Sequence, residues 1–454
     1  MRALHVLFAI ILVIAPIAGA VGPVAGGAQN SVDTDHTDGW ATEHTELGEP
    51  IESEQRTGDS APQAGATETL SAAVGADERF QVTAENRTFR TLSTPSDADP
   101  RVQFTNHGAN LGSAMSFAVD ETDAAMETAA VVERIERAES HTERQQQILA
   151  AVNRVERDEV SLHSRQTAAF DAHAAGELSD REFLDELVRI AATAREYDER
   201  LEALSELADE TDGFSSPTRL DELQVALQVY DGPVREHAVA AVNGEIPTTE
   251  VYIESTDSAV VLATIDDDEY VREAFRTDRW DRGGGEISND DAIEATATAY
   301  PETAALREPD AFGAGAVQRI TIPHEFGTLR TFVSGGTEQV FVEHQRLELD
   351  TFPDTAVTTE RGDGFNVTVD RTYPGGPVTV TVLDEETREP AAGITVTKSV
   401  GDDDSESIGS TDADGVVRTL SPAETYRITV VDEPRVVVVA DLEPIETPRL
   451  VDDE

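Results

Sequence analysis

His324-Glu325 is the one place where this chain begins to spell a zinc-hydrolase motif, and the second histidine of His-Glu-x-x-His is missing. A serine hydrolase needs its nucleophile on a Gly-x-Ser-x-Gly elbow or an equivalent turn, and the sequence has none. Gly283-Gly284-Gly285 is glycine-rich, but no Lys-Ser/Thr follows to hold a phosphate. Asp266-Asp267-Asp268-Glu269 is a dense carboxylate run, read as the acidic start of a following helix, where carboxylates meet the positive end of the dipole. Asp412-x-Asp414 offers two carboxylates, whereas calcium takes six or more oxygens. His141, His163 and His173 stand among many glutamates, without the paired Glu-x-x-His that a helical metal centre repeats. They are read as a solvated helix face. No catalytic, cofactor or metal residue is therefore assigned. Asn86-Arg87-Thr88 and Asn366-Val367-Thr368 are N-glycosylation sequons, with Asn86 and Asn366 as acceptors.

The elements that would carry these residues read as a multidomain α+β chain. The clearest period is helical. Phe183, Leu187, Ile190, Ala194, Tyr197, Leu201, Leu204 and Ala208 alternate by fours and threes, one apolar seam. Ser179 and Glu182 form a capping box before it, and Asp212-Gly213 closes it. Ile135, Leu149, Val152, Leu162 and Ala169 mark a more polar seam upstream that ends at Ala175-Gly176. The short turn predicts a coiled-coil-like antiparallel helical hairpin over residues 120–213, with Leu201 and Leu204 facing the Ile148–Val155 region. Ser140 and Glu143 leave open a break in the first arm near His141.

Before the hairpin, residues 77–119 alternate weakly and predict a short β segment. After it, residues 216–352 predict an α+β domain. Ser216-Pro217 starts a helix, Glu250–Glu254 and Ala259–Ile265 read as strands, and Tyr270–Phe275 as a short helix. Gly335-Gly336 turns a hairpin. Phe352–Gly364 reads as a linker that includes Arg361-Gly362-Asp363. Residues 365–440 hold seven short strands at the spacing of an Ig-like β-sandwich, and residues 441–454 form an acidic tail.

Composition bounds the setting. The chain has 454 residues, 90 acidic against 34 basic, and a net charge of −56. Lys398 is its only lysine, and the acids run the whole length. Such a surface suits concentrated salt, where self-repulsion is screened, and it argues against nucleic acid as a partner. The absence of cysteine excludes disulfides and thiol chemistry. Met1-Arg2, the apolar run Leu4–Ile14 and Ala18-Gly19-Ala20 read as a Sec signal peptide over residues 1–28, with an uncleaved anchor as the alternative. Residues 29–76 read as a disordered acidic spacer. The expected localisation is extracellular or cell-surface, with cell-envelope proteins or glycans as partners and membrane contact only if the N-terminal segment is retained.

Two stretches resemble known families. Val382-Leu383-Asp384, Gly393-Ile394-Thr395-Val396, Thr411-Asp412-Ala413-Asp414-Gly415 and Tyr426–Val430 resemble the carboxypeptidase regulatory-like domain, a sandwich close in shape to fibronectin type III. That resemblance implies that Asp412–Gly415 is a hairpin turn. Ile287–Ala292 followed by Ala299-Tyr300-Pro301 resembles the start of a PepSY-type module, which implies a capped helix on a small antiparallel sheet. As a whole the chain resembles a family of uncharacterised secreted proteins of halophilic archaea. The expected role is a non-catalytic extracellular or cell-surface structural and interaction protein. The alternative is a peptidase-associated regulator or an enzyme whose site lies in the α+β domain. Buried polar side chains converging near His324, Glu325 and His344 would favour that alternative.

Overall fold

The computed structural model describes residues 89–352 and 355–453. The chain divides into two units, Met1–Gly75 and Ala76–Glu454, and these residues belong to the second. The expected signal segment, the acidic spacer and Asn86 lie outside the described residues.

Strand β1 (Arg101–His107) comes first. Three long helices follow, α1 (Leu111–Glu136), α2 (His141–Ala174) and α3 (Asp180–Asp209), then two short ones, α4 (Thr218–Gln228) and α5 (Pro233–Asn243). Strands β2 (Thr249–Ser255), β3 (Ala259–Asp266) and β4 (Glu269–Arg276) form a meander. Helices α6 (Asn289–Ala299) and α7 (Pro301–Leu306) precede β5 (Asp310–Phe312), β6 (Val317–His324), β7 (Gly327–Ser334) and β8 (Gln339–Glu348). The remaining strands are β9 (Ala356–Gly362), β10 (Phe365–Arg371), β11 (Pro377–Asp384), β12 (Thr395–Val400), β13 (Glu406–Ser410), β14 (Val416–Leu420), β15 (Tyr426–Asp432) and β16 (Arg435–Leu442).

The first eight strands make one antiparallel sheet in the order β1-β2-β3-β4-β8-β7-β6-β5. Helices α2 to α5 lie on one face of it. Their leucines and valines share a core with Val251, Ile253, Val260, Leu262, Val271, Phe275 and Phe332. The helices are therefore a layer on a sheet. The capping box at Ser179 and Glu182 is present in both its bonds. Beyond the seam read from the sequence, Leu184, Val188, Ala191 and Leu207 are also buried on α3. The reason is position: α3 lies against α1, α2, α4 and α5, so its apolar arc is wider than a two-helix seam requires. The upstream arm is two helices. Ser140 caps α2, and the residues before it belong to α1.

Three further expectations are corrected. The segment 77–119 contains one described strand, β1, and from Leu111 onward it is helix, capped by Asn110 through its side chain to Gly112 N and Ser113 N. Tyr270–Phe275 is strand β4 at the centre of the sheet. Both of its faces are covered, so it carries no polar alternation for the eye to find. The carboxylate run Asp266–Glu269 is the β3–β4 hairpin turn, with Asp267 at φ 50°.

The opposite face of the sheet is covered by α6, α7, Phe89, Leu92 and Leu450. The acidic tail therefore ends in contact with the main sheet: Thr91 N donates to Pro448 O at 2.7 Å. The acidic tail read from the sequence is thus anchored by one buried leucine, Leu450, and by this main-chain bond.

The C-terminal sandwich has two four-stranded sheets, β14-β11-β10-β9 and β13-β12-β15-β16. Val367, Val369, Val378, Val380, Val382, Val396, Ile428 and Val430 fill its core from alternate positions. It has eight strands where seven were expected, because β9 occupies most of the supposed linker. Asp363 at φ 47° and Gly364 at φ 82° form the two-residue turn from β9 to β10, the Asp-Gly hairpin signal.

The sandwich seats on the second face of the main sheet. Tyr270 donates its hydroxyl to Gly375 O at 3.0 Å, and a Cβ at Gly375 would stand 2.6 Å from the Tyr252 ring. Lys398 is buried at this junction. Its Nζ reaches Glu250 Oε1 at 2.8 Å and Thr419 Oγ1 at 2.9 Å, over the Phe104 ring at 4.5 Å. In a chain whose basic surface is otherwise arginine, its one ammonium ties two layers together.

Candidate functional site

The residues singled out in the sequence do not converge. His324 ends β6 and stacks on Phe89 at 5.2 Å, on the face that carries α6 and α7. Glu325 is exposed in the β6–β7 turn. His344 is buried in β8 against Phe332, on the face under the long helices. Asp412 Oδ1 accepts from Asp414 N and Val416 N, both at 2.9 Å, and Gly415 at φ 75° completes that turn. Asn366 lies in β10, half-buried, and accepts from Arg361 Nε at 3.3 Å. Asp266, Asp268 and Glu269 are met by Arg346 and Arg418. Among the described residues no group of three or more histidines or carboxylates is placed to hold a metal ion.

A different set converges. His173, in the last turn of α2, is fully buried and stacks on Phe183 at 4.2 Å. Its Nδ1 lies 2.6 Å from Ser255 Oγ, and its Nε2 lies 3.0 Å from Asp180 Oδ1. Ser255 is the last residue of β2, and Asp180 opens α3. Arg101 of β1 donates to Asp180 Oδ1 at 2.9 Å and to His173 O at 3.2 Å. A hydroxyl on one ring nitrogen and a carboxylate on the other is the connectivity of a nucleophilic triad. Burial holds the His173 pKa below its ordinary 6.5, although the Asp180 hydrogen bond pulls it up. With neutral imidazole, Nε2–H donates to Asp180 and Nδ1 accepts the Ser255 hydroxyl proton. A triad also needs its hydroxyl open to a substrate, and Ser255 is 0% exposed. The set ties the α2–α3 turn to the edge of the sheet.

Two larger polar networks flank the sheet. On the helix face, Arg235 and Glu273 pair at 2.7 Å. Glu273 Oε2 accepts from Val234 N at 3.1 Å, so a strand carboxylate caps α5. Arg235 also donates to Gln166 Oε1 at 2.9 Å. Glu159 accepts from Tyr230 Oη at 2.9 Å and pairs with Arg282. On the other face, Glu343 pairs with Arg272 and accepts from Tyr300 Oη and Leu92 N, each at 2.6 Å. The solvated-face reading of the helix histidines and glutamates is thus wrong for His173 and Glu159, which are buried. Both lie on the polar-diluted seam of the upstream arm, but their partners could not be read there, because each is remote: 82 residues separate His173 from Ser255.

The half-buried His324 supplies a pH test. Burial lowers its pKa from 6.5 to about 4. Its Nδ1 accepts from Phe326 N at 3.3 Å, a bond that protonation destroys. As pH falls below 6.5 the unfolded chain takes up a proton that the folded chain refuses until about 4, so stability is lost across that window. Urea midpoints at pH 7 and pH 5 should fall further for the native chain than for His324→Asn, which does not titrate. Parallel falls would show that His324 is not held neutral.

The fold is thus a mixed α+β protein with antiparallel sheets and a C-terminal fibronectin-III-like sandwich. Residues 1–246 match the model of the domain of unknown function DUF7096, more than half the chain, and the chain belongs to that family. Residues 251–353 match the family of unknown function DUF7094, and residues 356–439 match the archaeal fibronectin-III type-like domain. The first match ends between α5 and β2 and the second begins within β2, yet β1 from the first pairs with the β2 residues of the second, so both regions build one sheet. No curated protein and no solved structure matches the chain.

Proposed function

We propose that this chain is a non-catalytic extracellular or cell-surface structural and interaction protein of a halophilic archaeon. The observation that carries the reading is the burial of the Ser-His-Asp set at the α2–α3 turn: a hydroxyl with no exposed surface has no route to a substrate. The polar networks on both sheet faces support it, since their charges are spent on one another and on main-chain groups. The apolar run Leu4–Ile14 and the Ala18-Gly19-Ala20 signal support export by Sec, and the acidity supports a saline medium. Among the described residues no helix is long and apolar enough to cross a membrane.

The competing reading, an enzyme or peptidase-associated regulator in the α+β region, draws on that same Ser-His-Asp connectivity and on the PepSY-like stretch at α6. One experiment separates the two. The full chain, purified in molar salt, is incubated with a fluorophosphonate and digested for mass spectrometry. The expected result is an unmodified Ser255. Covalent label on Ser255, lost in His173→Ala, would establish the enzyme reading. Amino-terminal sequencing of native protein tests export: it should begin near Val21 or Gln29, and an intact Met1 in a membrane fraction would mean a retained anchor.

A further inference from the structure

Acids outnumber bases 90 to 34 in this chain, so an arginine is never short of candidate counter-ions. Arg319 of β6 and Arg330 of β7 nevertheless form no ion pair among the described residues. Both stand on the helix side of the main sheet: Val317 and Phe332, each two residues away along its strand, belong to the core beneath the long helices. Arg319 pairs in register with Phe332, and Thr321 with Arg330, so the two arginines are diagonal neighbours on adjacent strands. Such positions lie about 7–8 Å apart, within reach of long side chains.

Their surroundings deepen the imbalance. Arg319 is half-buried, and its Nε has no hydrogen-bond partner. Its Nη1 donates to Gln228 Oε1 at 2.6 Å, at the end of α4, and its guanidinium lies over the Phe312 ring at 4.5 Å. Burial and then Arg330 lower the Arg319 pKa, while Asp310 and Asp198 pull it back without cancelling the shift. One guanidinium is thus held partly out of water beside a second, at a cost that those two acids offset only in part. His344 lies directly opposite Arg330 in β8, buried, with its Nδ1 unpartnered. Burial, then Arg330, Arg235 and Arg346, hold this histidine well below its ordinary pKa. The other two arginines around it are answered: Arg235 by Glu273, and Arg346 by Glu236, Asp266 and Glu269. The unanswered charge on this part of the face is that of Arg319 and Arg330.

We propose that Arg319 and Arg330 bind the carboxylate of a small organic acid whose apolar body rests against Phe312. Two guanidinium groups can share one carboxylate by giving it N–H donors from each side, which suits the planar fork of arginine. Phe312 is 47% exposed on the edge strand β5, and Arg330 is exposed as well, so a ligand reaches both from solvent. The ligand carries a single charge, because a net charge of −56 repels a polyanion.

The inference deepens the reading of this chain as an interaction protein by naming a ligand class, and its test does not depend on export or on Ser255. The probe is para-fluorobenzoate, titrated with the full chain in molar potassium chloride while its fluorine resonance is followed; para-fluorobenzyl alcohol is the neutral control. The benzoate should broaden and the alcohol should not. Arg330→Gln should weaken the benzoate about tenfold or more. Its urea midpoint should equal or exceed that of the native chain, because the lost side chain is exposed and was a like charge beside Arg319. Phe312→Ser should weaken the benzoate several-fold. Acetate should displace the probe better than sulfate at equal ionic strength. Equal broadening of benzoate and alcohol, or benzoate binding unchanged in Arg330→Gln, overturns the inference. So does better displacement by sulfate, which removes the carboxylate preference, or a lowered urea midpoint in Arg330→Gln, which makes that arginine structural. If the probe fails and Ser255 stays unlabelled, the ligand site falls and the non-catalytic reading stands. If the probe binds and Ser255 is labelled, the site stands and that reading falls.

Discussion

Glu343→Ala is expected to cost about 3–5 kcal/mol of folding stability, because it leaves a buried arginine without its counter-ion. Glu343 is 0% exposed and Arg272 3%. Besides Arg272, the carboxylate accepts from Tyr300 Oη, where α6 meets α7, and from Leu92 N in the first described segment. Arg272 in turn donates to Leu92 O at 2.7 Å. Three separate pieces of chain close on this one side chain. Burial pushes the Glu343 carboxyl above its ordinary value, and Arg272 and the two hydrogen bonds pull against that shift. The truncation strands three donors at once. A double variant, Arg272→Met with Glu343→Leu, removes both charges and should recover most of the loss, as replaced buried ion pairs do. Glu325→Ala, exposed in its turn, is the control and should stay within about 0.5 kcal/mol. Urea unfolding in molar salt reads all three. A Glu343→Ala midpoint equal to that of Glu325→Ala would mean that the network holds nothing together.

Withdrawal of salt should unfold the chain. A net charge of −56 repels itself over about 10 Å at 0.1 M salt and over only about 3 Å at 1 M. The repulsion has local addresses. Burial and the neighbouring Glu121, Asp120 and Glu199 raise Glu196 from 4.5 to about 7, and burial with Glu202 raises Asp198 from 3.8 to about 6. Groups whose folded pKa is raised in this way cost stability when ionised, above about pH 7 for Glu196, and the cost disappears as pH falls toward 4.5. Far-ultraviolet circular dichroism should show helix lost on dialysis from molar to millimolar salt at pH 8. Glu196→Gln should hold its helix to lower salt at pH 8, and that advantage should shrink at pH 5. Unchanged helicity and melting temperature from molar to millimolar salt would refute the saline reading of the charge.

What the sequence shows plainly is what neighbours along the chain decide. The valines of β10, β11 and β15 alternate because each strand has one buried and one solvated side, so the sandwich can be read by eye. The seam and capping box of α3 lie within a few residues of one another and are equally legible. Legibility fails where burial is two-sided or where partners are distant. In β4 both faces are covered, and Arg272 and Glu273 stand where polar residues signal solvent, each neutralised by a partner from another element. In α1 both sides are apolar, one toward the core and one toward solvent, and the helical period is blurred. The Asp363-Gly364 turn was present in the sequence, but the strand before it is short and exposed and reads as linker.

Two matters belong to tertiary structure alone. One is that the long helices cover a sheet: their seams predict apolar partners without saying that some are Val251, Phe275 and Phe332. The other is which ionic groups meet. Among 90 acids and 34 bases, no local rule selects Glu343 for Arg272, 71 residues away, or Asp180 for a histidine that also holds Ser255. Charge pairing has no period. It is fixed by strand register and helix placement, which exist only once the sheet has formed.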